Sequence, residues 1–211
     1  MTLNALTFDR DILSRRCSAD MIFYAGESRI DDPRVRYFPM AGSGALFGSC
    51  DGVYVPSVLG GDDVVDDAIE KHSEGRPTIV SACLTLDEVG TCDKKFGTTP
   101  VGLAHKYGLL DENTFIAGGV YLDKDDIDLI VQSGAGVILT PSDSMGSGCG
   151  IPPLRMFETL GARVKLGTGS GAYNGDADIM FERRLIYLAA SGMLCTRAPV
   201  SEGFLSAMTE A

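Results

Sequence analysis

Histidine is scarce: His72 and His105 are the only two in 211 residues. A site that needs a cluster of imidazoles has to be built from those two. Basic residues are outnumbered as well, 18 Lys and Arg against 29 Asp and Glu, for a formal net charge of −11. So acidic a chain repels phosphate backbones and anionic headgroups, which excludes nucleic acid and membrane surfaces as partners. Solubility is the sufficient reading of the excess acid. The six cysteines, Cys17, Cys50, Cys83, Cys92, Cys149 and Cys195, include no CxxC pair. Zinc-ribbon and dithiol redox sites are thereby excluded. No apolar run is long enough to span a bilayer, and the N-terminus shows no apolar stretch of a secretory signal. The expectation is a cytoplasmic protein with reduced thiols.

What is present is ordinary for a globular chain, 45% hydrophobic and 22% charged residues. The length suffices to bury a core without staples, and we expect one domain over residues 1–211. Eight short runs rich in β-branched and aromatic residues read as strands: 2–8, 20–26, 34–40, 52–58, 77–84, 114–120, 135–141 and 163–169. Most are apolar throughout, which suits strands buried on both faces of a parallel sheet. Helices are expected over 62–75, 99–110, 123–134, 152–162 and 176–192, with a short one near the C-terminus. Asp123 reads as a cap, and Gly134 and Gly161 as stops. In 176–192 the apolar stripe is assigned to Ile179, Phe181, Leu185, Ile186 and Leu188. His72 is placed on a solvated helix end and His105 on an outer helix.

From residue 52 onward strands and helices alternate, the mark of βαβ units. The expected fold is therefore α/β, a TIM-like (β/α)8 barrel with an abbreviated first half. About seven residues join the second and third strands, and a helical crossover needs roughly a dozen or more. Either helices are missing there or those strands pair differently.

The stretch "YGLLDENTFIAGGVYLDKDDIDLIVQSGAGVILTPSDSMGSGCGIPPLRMFETLGARVKLGTGSGAYNGDADIMFE" resembles the amidohydrolase superfamily, within a likeness that runs from about Thr99 to Ala190. It is most similar to the chlorohydrolase and aminohydrolase branch, which includes S-adenosylhomocysteine, guanine and triazine deaminases. "TIVSACLTLDEV", "ADMIFYAGES" and "LNALTFD" resemble that family's fifth, second and first strands. The resemblance implies a divalent metal at the C-terminal ends of the strands, activating water for attack on a C–N or C–halogen carbon. It also implies which positions would hold the ion: a His-x-His pair, two further His and an Asp. The matching residues here are Leu6 and Phe8, Ser81, Gly118 and Gly169, with Leu84 where the family has a proton-shuttling Glu. The implied metal positions are thus degenerate, and we expect no metal and no cofactor. The family's β-sandwich, made from both chain ends, is expected to be absent.

Ser81, Cys83, Gly118, Ser142, Asp143, Thr168, Gly169 and Asn174 are the candidate pocket residues, with Thr140, Ser144, Ser170 and Tyr173 close by. Asp143 reads as an acid–base group or cation anchor on one view and as a local turn residue on the other, and the turn is favoured. Cys83 has no histidine beside it and reads as an inert buried thiol. The glycines of "GSGCG" and "GTGSGAYNG" carry no Walker lysine pattern and fit no dinucleotide fingerprint.

The preferred functional reading is a non-catalytic binding, scaffold or regulatory protein. The alternative is a metal-independent hydrolase or deaminase acting on C–N bonds of a small nitrogenous molecule. An open polar mouth favours the alternative, and a mouth plugged by Leu6, Phe8 and Leu84 opposes it. Expected partners are a small-molecule ligand and either a second copy of the chain or an active relative. A homodimer is expected because Met21, Phe23, Val35, Tyr37, Val53 and Val55 lie on strands with few helices to cover them.

Overall fold

The computed structural model describes residues 4–7, 21–26, 29–43 and 50–209. It contains eight strands: β1 (Asn4–Thr7), β2 (Met21–Gly26), β3 (Val35–Pro39), β4 (Val53–Val55), β5 (Thr78–Ala82), β6 (Thr114–Gly118), β7 (Gly136–Leu139) and β8 (Arg163–Leu166). Each lies inside a run that the sequence marks as a strand. They form two parallel sheets, β1-β2-β3 and β4-β5-β6-β7-β8. Single parallel bridges join the sheets at both seams, Thr7 to Gly169 and Met40 to Tyr54. The arrangement is TIM-like, but the ladders break at the seams and no barrel is closed.

The helices are α1 (Asp62–Ser73), α2 (Leu86–Phe96), α3 (Pro100–Lys106), α4 (Lys124–Ser133), α5 (Pro141–Gly146), α6 (Leu154–Leu160), α7 (Ile179–Leu194) and α8 (Glu202–Ala207). α4 starts and stops as the sequence demands. Asp123 and Asp126 form a reciprocal capping box, and Gly134 ends the helix in the left-handed conformation. α2 was not foreseen, because its sequence LDEVGTCDKKF buries only Cys92 and so carries little apolar periodicity. Its signal lies at the ends instead: the Thr85 side chain accepts from Glu88 N–H, and Gly97 closes it.

Alternation along the strands builds two packed regions. Ile22, Val53, Val80, Ile116, Val137 and Leu139 point outward to the helices. Ala25, Phe38, Ile79, Ala117 and Ile138 pack inward, with Phe23, Tyr54 and Phe115 against them. Burial on both faces explains why these strands read as apolar throughout.

Of the two alternatives for the second and third strands, the missing helix is the one the described residues show. β2 and β3 pair in parallel, Ile22 opposite Val35 and Ala25 opposite Phe38, and none of the described residues between them is helical. Residues 27–34 separate the two strands; fully extended, they reach roughly 26–29 Å. The six residues of β2 span only about 20 Å, so an extended return suffices. Val35, Tyr37, Val53 and Val55 are all buried within the chain, and Phe23 is half-buried. These side chains therefore offer little apolar surface to a second copy of the chain.

His105 is exposed on α3, as expected. His72 is not solvated. Its side chain is 9% exposed, with Nδ1 2.9 Å from Thr78 Oγ1 and Nε2 3.5 Å from Asp111 Oδ2. The ring ties α1 to the start of β5 and to the turn before β6.

The outward-facing region should dominate stability. Ile116, with no exposed surface, should cost about 2–5 kcal/mol as Ile116→Ala. Leu188, 60% exposed on α7, should cost less than about 0.5 kcal/mol as Leu188→Ala. Urea denaturation of the two variants measures the contrast.

Candidate functional site

The inward stack ends in a cavity at the C-terminal ends of the strands, the face where parallel α/β proteins place their sites. Two residues beyond Ile79 is Ser81, and two beyond Ile138 is Thr140; both line this cavity. Tyr54, Leu84, Ala117, Gly118, Asp143, Ser147, Ser170 and Tyr173 complete the wall, around a volume of about 200 Å³. Among the described residues this cavity is unfilled, and six hydroxyl-bearing residues share its wall with Leu84, Ala117 and Gly118. Phe8 lies outside the described residues, as does the Leu6 side chain.

Of the expected pocket residues, Ser81, Gly118 and Asp143 reach the cavity. Cys83 is fully buried, at a φ of 55°. Burial pushes its thiol far above the usual range, and the Asp126 carboxylate adds to the shift. It is no nucleophile near neutral pH. The Thr168 hydroxyl is buried without a hydrogen-bond partner among the described residues.

Ser142 and Asn174 serve a different group, Glu182, which the sequence reading passed over. Glu182 has no exposed surface. Its Oε2 accepts the Ser142 N–H at 2.8 Å, while Oε1 accepts the Ser142 hydroxyl and the Asn174 amide, the latter at 2.8 Å. One carboxylate thus clamps the loop after β7 to the loop after β8. Burial raises its pKa, against the lowering effect of these donors. The buried face of α7 is Ile179, Glu182, Ile186 and Ala190, so Phe181 and Leu188 do not belong to it. An acid at helical spacing between buried apolar residues was the signal available in the sequence.

Asp143 is more than a local turn residue. Its Oδ2 accepts the Ser170 N–H and its Oδ1 the Ser170 hydroxyl, each at 2.7 Å, across 27 positions of sequence. The carboxylate lies over Gly169, where an added Cβ would stand 2.2 Å from Oδ2. Gly169 itself is fixed from the other side, since its carbonyl accepts the Thr7 hydroxyl at 2.9 Å. Tyr54 contributes a phenol whose pKa is raised by burial and lowered by a hydrogen bond with Ser81.

Gly118 and Gly169 have φ of 104° and 62°, a backbone that residues with a side chain adopt only under strain. No group of three or more His, Cys, Asp or Glu able to share an ion occurs among the described residues. Among the described residues, Ser81, Gly118 and Gly169 offer neither an imidazole nor a carboxylate to an ion.

Two outcomes test this geometry. Gly169→Ala should lose about 1–2 kcal/mol through its φ alone, and more because Asp143 has to move; thermal denaturation checks it. Removing Glu182 as Glu182→Ala should cost about 3 kcal/mol or more, since buried donors lose a charged acceptor. The pH dependence has a definite sign. A carboxyl whose native pKa is raised binds its proton more tightly folded than unfolded, so stability falls as pH rises from the ordinary glutamate value through the native one. The stability of the wild type minus that of Glu182→Gln should therefore shrink across that window, as measured by urea titrations at several pH values.

The family model "Amidohydrolase family" matches residues 61–207. A 5-methylthioadenosine/S-adenosylhomocysteine deaminase of Natronomonas pharaonis is 38% identical over 110 residues, covering 52% of this chain and 26% of its own. The enzyme of the same name from Pyrococcus furiosus is 36% identical over 112 residues, covering 53% and 27%. The chain thus spans about a quarter of the length of the curated relatives it matches. Among solved structures, a triazine hydrolase variant has a TM-score of 0.68 at 16% identity, covering 99% of this chain and 47% of the other. A mutant atrazine chlorohydrolase from Arthrobacter aurescens TC1, complexed with zinc and atraton, has a TM-score of 0.65 at 18% identity, covering 86% and 38%. At such identities the likeness speaks for the fold alone. With the strand order, the helical outer layer and a family model matching well over half of it, the chain belongs to the amidohydrolase family.

Proposed function

We propose that this chain is a deaminase-like member of its family whose mouth receives a small nitrogenous molecule and binds it without a metal ion of its own. The observation that carries the reading is the cavity of about 200 Å³ at the strand ends, walled among the described residues by six hydroxyl-bearing side chains, one carboxylate, Leu84, Ala117 and Gly118. An apolar cavity of about 150 Å³ suffices for benzene, so a heterocyclic ring has room. The relatives' names supply the ligand class, since 5-methylthioadenosine and S-adenosylhomocysteine both present a nitrogenous ring. Ser81, Thr140, Ser147 and Ser170 both donate and accept hydrogen bonds, which suits the edge of such a ring.

The chemistry of the wall favours recognition over turnover. Cys83 is buried with its thiol pushed up, and no imidazole lines the cavity. That wall supports a binding, scaffold or regulatory role beside an active relative. The names of the relatives favour a second reading, hydrolysis of a C–N bond by a route without metal. That route would use Asp143 as its acid–base group.

Isothermal titration with 5-methylthioadenosine and S-adenosylhomocysteine separates these readings when ammonia release is followed in the same samples, with and without a chelator. Saturable binding with no protein-dependent ammonia is the expected result. Ammonia release that scales with protein and survives chelation establishes the second reading. Absence of binding by both compounds overturns the first.

A further inference from the structure

The mouth contains a carboxylate and no base. Among the described residues no lysine, arginine or histidine lines the cavity and no ion pair engages Asp143. Its two hydrogen bonds come from one neutral residue, Ser170. They hold the carboxylate in place, and no described cation neutralises it. The Glu182 carboxylate is near enough for the two charges to repel. A concave site carrying charge of one sign concentrates ligands of the opposite sign.

The position of that charge is equally well defined. The carboxylate fills the space that a side chain from Gly169 would need, with Oδ2 2.2 Å and Cγ 2.5 Å from an added Cβ. A negative charge at the end of β8 is thus supplied from α5. Alone, it cannot supply the several ligands that a divalent ion requires. A single negative charge, flanked by hydroxyl acceptors at Ser81, Thr140 and Ser147 and by the rings of Tyr54 and Tyr173, matches one positive charge carried on N–H donors. Aromatic rings attract such cations as well.

We propose that Asp143 anchors an organic monocation, a protonated primary amine or an amidine, and that the mouth selects its ligand by that charged nitrogen group. The proposal rests on the reading that the mouth takes a small nitrogenous molecule.

Benzylamine, benzamidine and their neutral analogue benzyl alcohol test it by calorimetric titration at neutral pH, with 5-methylthioadenosine in the same series. The wild type should bind the amine or the amidine at least about tenfold more tightly than the alcohol, and Asp143→Asn should remove most of that difference. Ser170→Ala should weaken the cations and leave the alcohol unchanged. Equal affinity for amine, amidine and alcohol overturns the anchor, and so does an Asp143→Asn variant that binds both cations as the wild type does. If that variant does not fold, the comparison of amine and alcohol on the wild type decides alone. Binding of 5-methylthioadenosine equally by wild type and Asp143→Asn, without any cation preference, leaves the recognition reading standing and removes the anchor. Absence of binding by every compound removes both.

Discussion

The mouth of this protein depends on one buried carboxylate. Glu182 sits in the first turn of α7 with no exposed surface and receives the Ser142 N–H, the Ser142 hydroxyl and the Asn174 amide. Buried charge is tolerated only when its hydrogen-bonding capacity is filled, and here the filling groups belong to the loops after β7 and β8. Asn174 also bonds to the Asp178 backbone that caps α7. The helix start, the two loops and the first turn of α5 therefore form one hydrogen-bonded unit. Asp143, the neighbour of Ser142, is placed over the end of β8 as a consequence.

That placement decides what the mouth can do. Gly118 and Gly169 hold the backbone at positive φ, so neither position accepts a side chain without strain. The space beside Gly169 is filled by the Asp143 carboxylate. Among the described residues the cavity carries one carboxylate, positioned by neutral donors and flanked by hydroxyl and phenol groups. Such a wall suits recognition by hydrogen bonds and charge. Its described residues provide neither a reactive thiol nor an imidazole.

Much of the fold was legible because each strand is buried on both faces and so reads as a continuous apolar run. The caps of α4 were legible because Asp123 and Gly134 act within one turn of sequence. α2 escaped notice because it buries one residue, Cys92, and apolar periodicity is silent for a helix lying so far out. The pairing of β2 and β3 stayed open between two alternatives, because a linker too short for a helix does not by itself say whether a short strand can return beside its neighbour. In the site, Ser81, Gly118 and Asp143 were found from strand ends and family likeness. Tyr54 and Ser147 were not, since a tyrosine mid-strand and a serine in a glycine loop look like core and turn.

The sequence by itself determined the strand positions, the alternation with helices, the family and the local caps. All of these rest on interactions between residues near one another in the chain or on long runs of similarity. Only the tertiary structure decided the partners that lie far apart: Ser142 and Asn174 on Glu182, Ser170 on Asp143, Thr7 on Gly169. It also decided that Cys83, Ser142, Thr168 and Asn174 stay out of the cavity while Tyr54 enters it. The physical reason is that alternation tells which residues share a face of a strand. Which of those faces meets a carboxylate, a cavity or a helix is set by the packing of loops that are distant in sequence.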